Sequence, residues 1–357
     1  MRRFSEIILS GDLPRSRALT VVLLLILLGL LLAPFLFPGS RPLNVAGKLC
    51  VFILLAASFD LLLGYTGIVS FAHTMFFGIG GYGAAIAIAR LGPTWSSIAI
   101  GTGVAVVLAA LLATLIGLFS LRVRALFFAM ITLAVASAFL VLASQLSWLT
   151  GGEDGLNLRL PEVLRPAFRL VEEPVFGVRI NGRILAYYLL FASCLALFLL
   201  LLRVVNSPFG RVLQAIRENA FRAEALGYRT VVYRTVANCL AAVVAALAGV
   251  LYALWQAYAG PNTLLSFELM MDILLMVVIG GISTMYGAAI GATLLLVTQN
   301  YLQTLMEGAS AATAGIPLLP QILHPDRWLL WLGVLFILSV YFFPTGVVGK
   351  LRGDGRR

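Results

Sequence analysis

Long apolar runs alternate with short polar segments along almost the whole chain. The runs fall at 18–37, 43–63, 68–89, 96–118, 125–146, 185–202, 232–256, 269–282, 288–305 and 328–343. A helix that crosses a bilayer needs about 20 mainly apolar residues, so the pattern predicts about ten spans. Apolar residues are continuous within each run rather than alternating, which points to helices and away from a β-barrel. The run 269–282 is short, and a broken or re-entrant segment is expected there. The expected fold is an all-α integral membrane protein, a polytopic bundle forming one domain over residues 1–357.

Composition fits lipid as the solvent. Of 357 residues, 61% are hydrophobic and 11% charged, and mean hydropathy is +1.02. The N-terminal MRRFSEIILSGDLPRSR precedes a long run followed by PGSRPLN rather than a small-residue cleavage site, so an uncleaved first span is expected. The net charge of +10 resides in segments between runs, so topology explains it better than nucleic acid does. With the N-terminus in the cytoplasm, the inside segments receive Arg2, Arg3, Arg15, Arg17, Arg122, Arg124, Arg203, Arg211, Arg217, Arg222, Arg229 and Arg234. They also receive Lys350, Arg352, Arg356 and Arg357, whereas Arg41, Lys48, Arg90 and Arg327 fall outside. The long outside loop, 148–183, balances five arginines with five acids. An even number of spans with both termini inside fits this partition. Within the loop, VRINGRI has an Asn181-Gly182 pair, a weak hairpin signal. The loop is expected to cap the bundle or to dock a partner. Cys50, Cys194 and Cys239 lie in apolar runs without metal-ligand spacing, and with only His73 and His324 beside them no metal site is expected.

The segment 207–227, SPFGRVLQAIRENAFRAEALG, breaks the pattern. Ser207 is a good N-cap, Pro208 suits the first helical position, and Gly227 suits the position after the helix. Phe209, Val212, Leu213, Ile216, Ala220 and Ala223 recur at helical spacing, opposite Arg211, Gln214, Glu218 and Arg222. One amphipathic helix of roughly 30 Å is expected. It would lie in the headgroup region, form a solvated connector, or couple the bundle to something outside it, and amphipathicity alone does not separate these.

Glycines crowd two membrane segments: Gly64, Gly67, Gly78, Gly80, Gly81 and Gly83, then Gly280, Gly281, Gly287 and Gly291. Small residues allow close helix packing, the favoured reading; a discontinuous helix facing solute is the other. Asp60, Glu268 and Asp272 fall at or near spans, where a carboxylate is costly unless paired or wet. Glu268 is expected at the outer edge, Asp60 near an inner end, and Asp272 about one turn inside, the best placed to face a polar cavity. His73, with Ser70 and Thr74 nearby, is expected to be a packing residue.

No Walker A pattern occurs, and no nucleophile–base constellation, so an enzyme is not expected. NSPFGRVLQAIRENAFRAEALG resembles the cytoplasmic loop of the LivM-type permeases of bacterial branched-chain amino-acid ABC importers. GYTGIVSFAHTMFFGIGGYGAA, TGGEDGL, LLMVVIGGISTMYGAAIGA and FFPTGVVG resemble further blocks of that family, in the expected order. The resemblance implies an ABC importer permease fold in the bacterial inner membrane, with a cytoplasmic coupling loop at 205–231. It implies a second, LivH-like permease, two cytoplasmic ATPase subunits that hold ATP and Mg, and a periplasmic binding protein. No cofactor is expected in this chain itself. ATPase-coupling residues would be Ser207, Pro208, Gly210, Arg211, Arg217, Glu218, Asn219, Arg222, Glu224 and Gly227. Translocation-path candidates are Gly64, Tyr65, Gly67, Ser70, His73, Phe77, Gly80, Thr150, Gly151, Gly152, Asp272, Gly280 and Gly281. The expected solute is a branched-chain or other apolar amino acid. The alternatives are a urea or short-amide permease of the same family and an ion-coupled secondary transporter.

Overall fold

The computed structural model describes residues 16–36, 39–120, 125–168, 181–312 and 324–351. Arg2, Arg3, Arg15, Arg122, Arg124, residues 169–180 of the long loop, and Arg352, Arg356 and Arg357 lie outside the described residues. The helices are α1 (Arg17–Leu31), α2 (Ser40–Thr66), α3 (His73–Leu91), α4 (Trp95–Ser120), α5 (Ala125–Gln145) and α6 (Gly182–Asn206). There follow α7 (Pro208–Glu218), α8 (Ala220–Ala225), α9 (Thr230–Gln256), α10 (Phe267–Gly280), α11 (Met285–Ala312) and α12 (Trp328–Phe342). Each apolar run therefore coincides with a helix. Among the described residues, eight segments are long and apolar enough to cross a bilayer. Outside those eight are α1, with 15 residues, and α11, which is 28 residues long but carries Gln299, Asn300 and Gln303. The first run is also not one continuous helix. It stops at Leu31, and a separate turn, Ala33–Leu36, follows. Pro34 supplies the reason, because it lacks an amide hydrogen and clashes with the preceding turn.

The centre of the bundle is α2, with α6, α9 and α11 packed beside it; α9 also lies along α3 and α4, and α10 pairs with α11. In the most apolar stretch of Ser40–Thr66, 89% is buried, against 11% for Pro325–Leu351. Phe52, Phe59, Phe76, Phe77 and Tyr187 fill the core.

Two contacts bring backbones together. A methyl group on Gly80 of α3 would collide with the Ala246 carbonyl on α9, and one on Gly249 of α9 would collide with the Phe77 carbonyl on α3. On the other pair, Gly280 meets the Gly287 carbonyl and Gly291 meets the Met276 carbonyl. The glycine blocks thus serve close packing, as the sequence favours, and they also flank breaks. Residues 67–72 separate α2 from α3 and residues 281–284 separate α10 from α11, with Gly67 at φ +72° and Gly281 at φ +120°.

At the end of the bundle remote from α7 and α8, the loop after α5 is tied down by a two-stranded pair. Leu156 and Asn157 run antiparallel to Tyr258 and Ala259. The hairpin expected at Asn181-Gly182 does not form. Gly182 is the first residue of α6 and Asn181 is its cap, the side-chain oxygen accepting from the Ile184 amide at 3.2 Å. An Asn-Gly pair serves a helix start as readily as a turn, because Asn caps exposed amides.

Gly80→Ala is expected to destabilise the purified chain by about 1–3 kcal/mol through overpacking against the α9 backbone. Gly103→Ala, with nothing within 4 Å of the added methyl, is expected to be neutral or stabilising by up to about 1 kcal/mol. Thermal unfolding in detergent compares the two.

Candidate functional site

The segment 207–227 folds as two helices rather than one. Asn219 is extended, at φ −158° and ψ 97°, and its side-chain oxygen accepts from the Arg222 amide at 2.9 Å. An Asn inside a helix competes with the helical backbone for hydrogen bonds, which makes it a natural stop and restart. The first piece, α7, has 11 residues and α8 has 6. At the start, Pro208 occupies the first turn, but the Ser207 hydroxyl does not cap; it donates to the Val204 carbonyl at 2.6 Å. At the finish, Gly227 has φ +93°, and its amide donates to Glu224 O while that of Tyr228 donates to Ala223 O.

One face of this pair is held against the bundle. Gly210, Leu213, Ile216 and Ala223 are buried, and Gly210 passes so close to the Val205 carbonyl that no side chain fits. Phe209 stacks on Tyr233 of α9 with ring centroids 5.7 Å apart. The other face, with Arg211, Glu218, Asn219 and Arg222, is exposed. Glu224 is exposed too and accepts from the Thr230 hydroxyl at 2.5 Å. Phe221 and Leu226 also project outward, 82% and 73% exposed.

Arg217 departs from its neighbours. Its guanidinium reaches back to the bundle and donates to the Gly64 carbonyl and to the Ser283 hydroxyl. Gly64 is in the last turn of α2, where carbonyls lack helical partners. Ser283 lies in the break between α10 and α11, at φ +67°, a conformation uncommon for a residue with a side chain. Its hydroxyl donates to the Gly64 carbonyl at 2.6 Å and its amide to Asp60 Oδ1 at 3.0 Å. Asp60 is fully buried, and Arg217 acts on it electrostatically. The Arg217 stem also packs against Gly67, where a methyl group would come within 3.2 Å of its Cγ. One side chain of α7 therefore touches both helix breaks.

Other path candidates separate into groups. Tyr65 is buried at the end of α2. His73 is fully buried, with Nε2 2.8 Å from the Ser58 hydroxyl and its ring against Phe59 at 5.4 Å, which fits the packing reading. The Ser70 hydroxyl is buried with no partner among the described residues. Phe77 packs on Tyr252, and Gly80 on the α9 backbone. Gly280 and Gly281 meet the C-terminal FFPTGVVG block, where Gly346 would clash with them if it carried a side chain. Thr150, Gly151 and Gly152 lie at the opposite end. Thr150 donates to the Ala143 and Leu146 carbonyls, and both glycines have positive φ. Asp272 is half-buried on α10 and accepts from Gln299 at 2.9 Å. The structure brings Gly64, Gly67 and Arg217 together but does not gather the candidates into one cavity among the described residues. Ser283 and Gln299 are absent from the sequence-based set. Only the interruption of an apolar run by Ser283-Thr284, and the polar Gln299 in another, hinted at them.

The model of a family described as "Branched-chain amino acid transport system / permease component" matches residues 41–340. The chain belongs to this family. It is 29% identical over 295 residues to the "Probable branched-chain amino acid transport permease protein LivM" of Methanocaldococcus jannaschii, covering 79% of this chain and 80% of the relative. It is 25% identical over 330 residues to the "High-affinity branched-chain amino acid transport system permease protein LivM" of Salmonella typhimurium, covering 88% of this chain and 76% of the relative. The Escherichia coli protein of that description is 24% identical over the same length. No solved structure matches the chain. This permease is thus an α-helical, multi-span member of the branched-chain amino acid ABC transport family.

In this permease, Arg217→Ala is expected to lower thermal stability by about 1.5–3 kcal/mol, because charge-assisted hydrogen bonds are lost at two helix ends. Arg211→Ala, exposed on the same helix, is expected to change it by less than about 0.5 kcal/mol. Melting of the purified chain distinguishes them.

Proposed function

We propose that the chain is the membrane subunit of an ATP-driven importer for branched-chain or other apolar amino acids. It works with a second, LivH-like permease, two cytoplasmic ATPases that hold ATP and Mg, and a periplasmic binding protein. The termini and the α7–α8 pair lie on the cytoplasmic side, and solute released by the binding protein passes inward between the permeases. The relatives, described as branched-chain amino acid transport permeases, support the solute class.

The observation that carries the coupling role is the two-faced α7–α8 pair. Its inner face is bonded to the bundle, while its outer face offers large apolar side chains, Phe221 and Leu226, among the charges Glu218 and Arg222. Exposed apolar side chains set among charges suit a contact with another protein, which buries them on docking. ATP binding closes the ATPases and moves α7 and α8. Arg217 carries that motion to the end of α2 and to the α10–α11 break, because it is bonded to both. Two packed arrangements of the breaks then alternate access to the two sides.

Reconstitution of the chain with its partner subunits in proteoliposomes tests this reading. Leucine uptake is expected only with ATP and all subunits present; uptake by the chain alone, driven by an ion gradient, would sink it. Combined Glu218→Lys and Arg222→Glu, or combined Phe221→Ser and Leu226→Ser, are expected to weaken ATPase co-purification at least about tenfold. Intact docking and transport in both variants would show the coupling role to be wrong.

A further inference from the structure

Lys48 lies on α2, about two turns from the end remote from α7 and α8. Its ammonium sits 5.5 Å from the centroid of the Phe52 ring, itself only 1% exposed. No hydrogen bond or ion pair to another described residue holds it. Asp272, on the adjacent α10, is near enough to interact with it electrostatically but is not its ion-pair partner. The Asp272 carboxylate is held instead by Gln299 Nε2 of α11 at 2.9 Å. These three helices pack on one another, and all three side chains are half-buried, so the group is partly open at the surface of the chain.

That placement is expensive in lipid. Ionisable residues at bilayer depth face a bundle interior or a water-filled space. A lysine near a helix end ordinarily escapes by extending its ammonium to the interface. This one rests over a buried ring beside an acid. A direct ion pair would also relieve the cost, yet the two charges stay apart. Each keeps unused bonding capacity: three donors on the ammonium, and on the carboxylate the acceptor positions that Gln299 leaves free.

We propose that Lys48, Asp272 and Gln299 form a contact site on the solute path for the zwitterionic head group of an amino acid. Lys48 takes the solute carboxylate. Asp272, oriented by Gln299, takes the solute ammonium. The solute completes the ion pair that the protein leaves open, since Lys48 and Asp272 act on each other electrostatically without direct contact. The site rests on the importer reading above and deepens it by naming the part of the solute that is recognised and one position on its route.

The test uses the whole complex in proteoliposomes, with labelled leucine as the probe. If the unmodified complex takes up no leucine, the importer reading fails and this site with it. With that uptake established, Lys48→Met and Asp272→Asn are each expected to lower it at least about tenfold, the loss that removal of a charged hydrogen bond produces, with subunit stoichiometry retained. The combined Lys48→Asp and Asp272→Lys swap restores part of it. Unchanged uptake in both single variants overturns the site and leaves the importer standing. Where a variant fails to assemble, Lys48→Cys in a chain with Cys50, Cys194 and Cys239 replaced by Ala decides. Reaction with a charged, membrane-impermeant thiol reagent, slowed by leucine, is expected. Absence of that reaction, or indifference to leucine, overturns the site.

Discussion

Between helices in lipid there is no hydrophobic force, because the acyl chains are as apolar as the side chains they would release. The bundle therefore depends on backbones coming close enough for dispersion and small-residue packing to hold them. Gly80 against Ala246 and Gly249 against Phe77 do this for α3 and α9, and Gly280, Gly287 and Gly291 do it for α10 and α11. A single methyl group at Gly80, Gly249, Gly280 or Gly291 meets a carbonyl oxygen rather than a flexible side chain. The closeness brings the helix breaks at 67–72 and 281–284 into a fixed relation with the core.

Those breaks create the second constraint. A helix that ends in a membrane protein leaves carbonyls and amides that need partners. At this end the partners come from elsewhere in the chain: Arg217 and Ser283 for the Gly64 carbonyl, and Asp60 for the Ser283 amide. The same bonds that satisfy the backbone tie α7 to the transmembrane helices. Backbone satisfaction and the tie between α7 and the bundle are one set of interactions. At the opposite end of the same helices the polar groups behave differently. Asp272 has Gln299, but Lys48 is left without an ion-pair partner among the described residues.

Much of this was legible in the residues. Nine of the ten apolar runs each gave one helix and the first broke after Leu31, the glycine blocks became close contacts, and His73 became a packed residue. Pro208 and Gly227 punctuated where expected. The single helix over 207–227 was misread because amphipathic spacing continues through Asn219, while the local competition of its side chain for the backbone breaks the helix. Asn181-Gly182 was misread for a related reason: the pair suits a turn and a cap equally, and only the neighbouring helix selects the cap. Arg217 gave no sign of its bonds to the bundle, since it shares composition, spacing and exposure with Arg211 and Arg222.

By itself, the sequence determined the class of molecule: a polytopic helical membrane protein with an amphipathic interruption, carrying the blocks of one permease family. Hydropathy and motif order decide this because both are local or collinear properties of the chain. Only the tertiary structure decided which of the chemically similar residues meet. Arg217 finds Gly64, which is 153 positions away, and Asp60 finds Ser283 across 223. Those pairings depend on how close glycine-lined backbones draw the helices, a distance that no local pattern encodes.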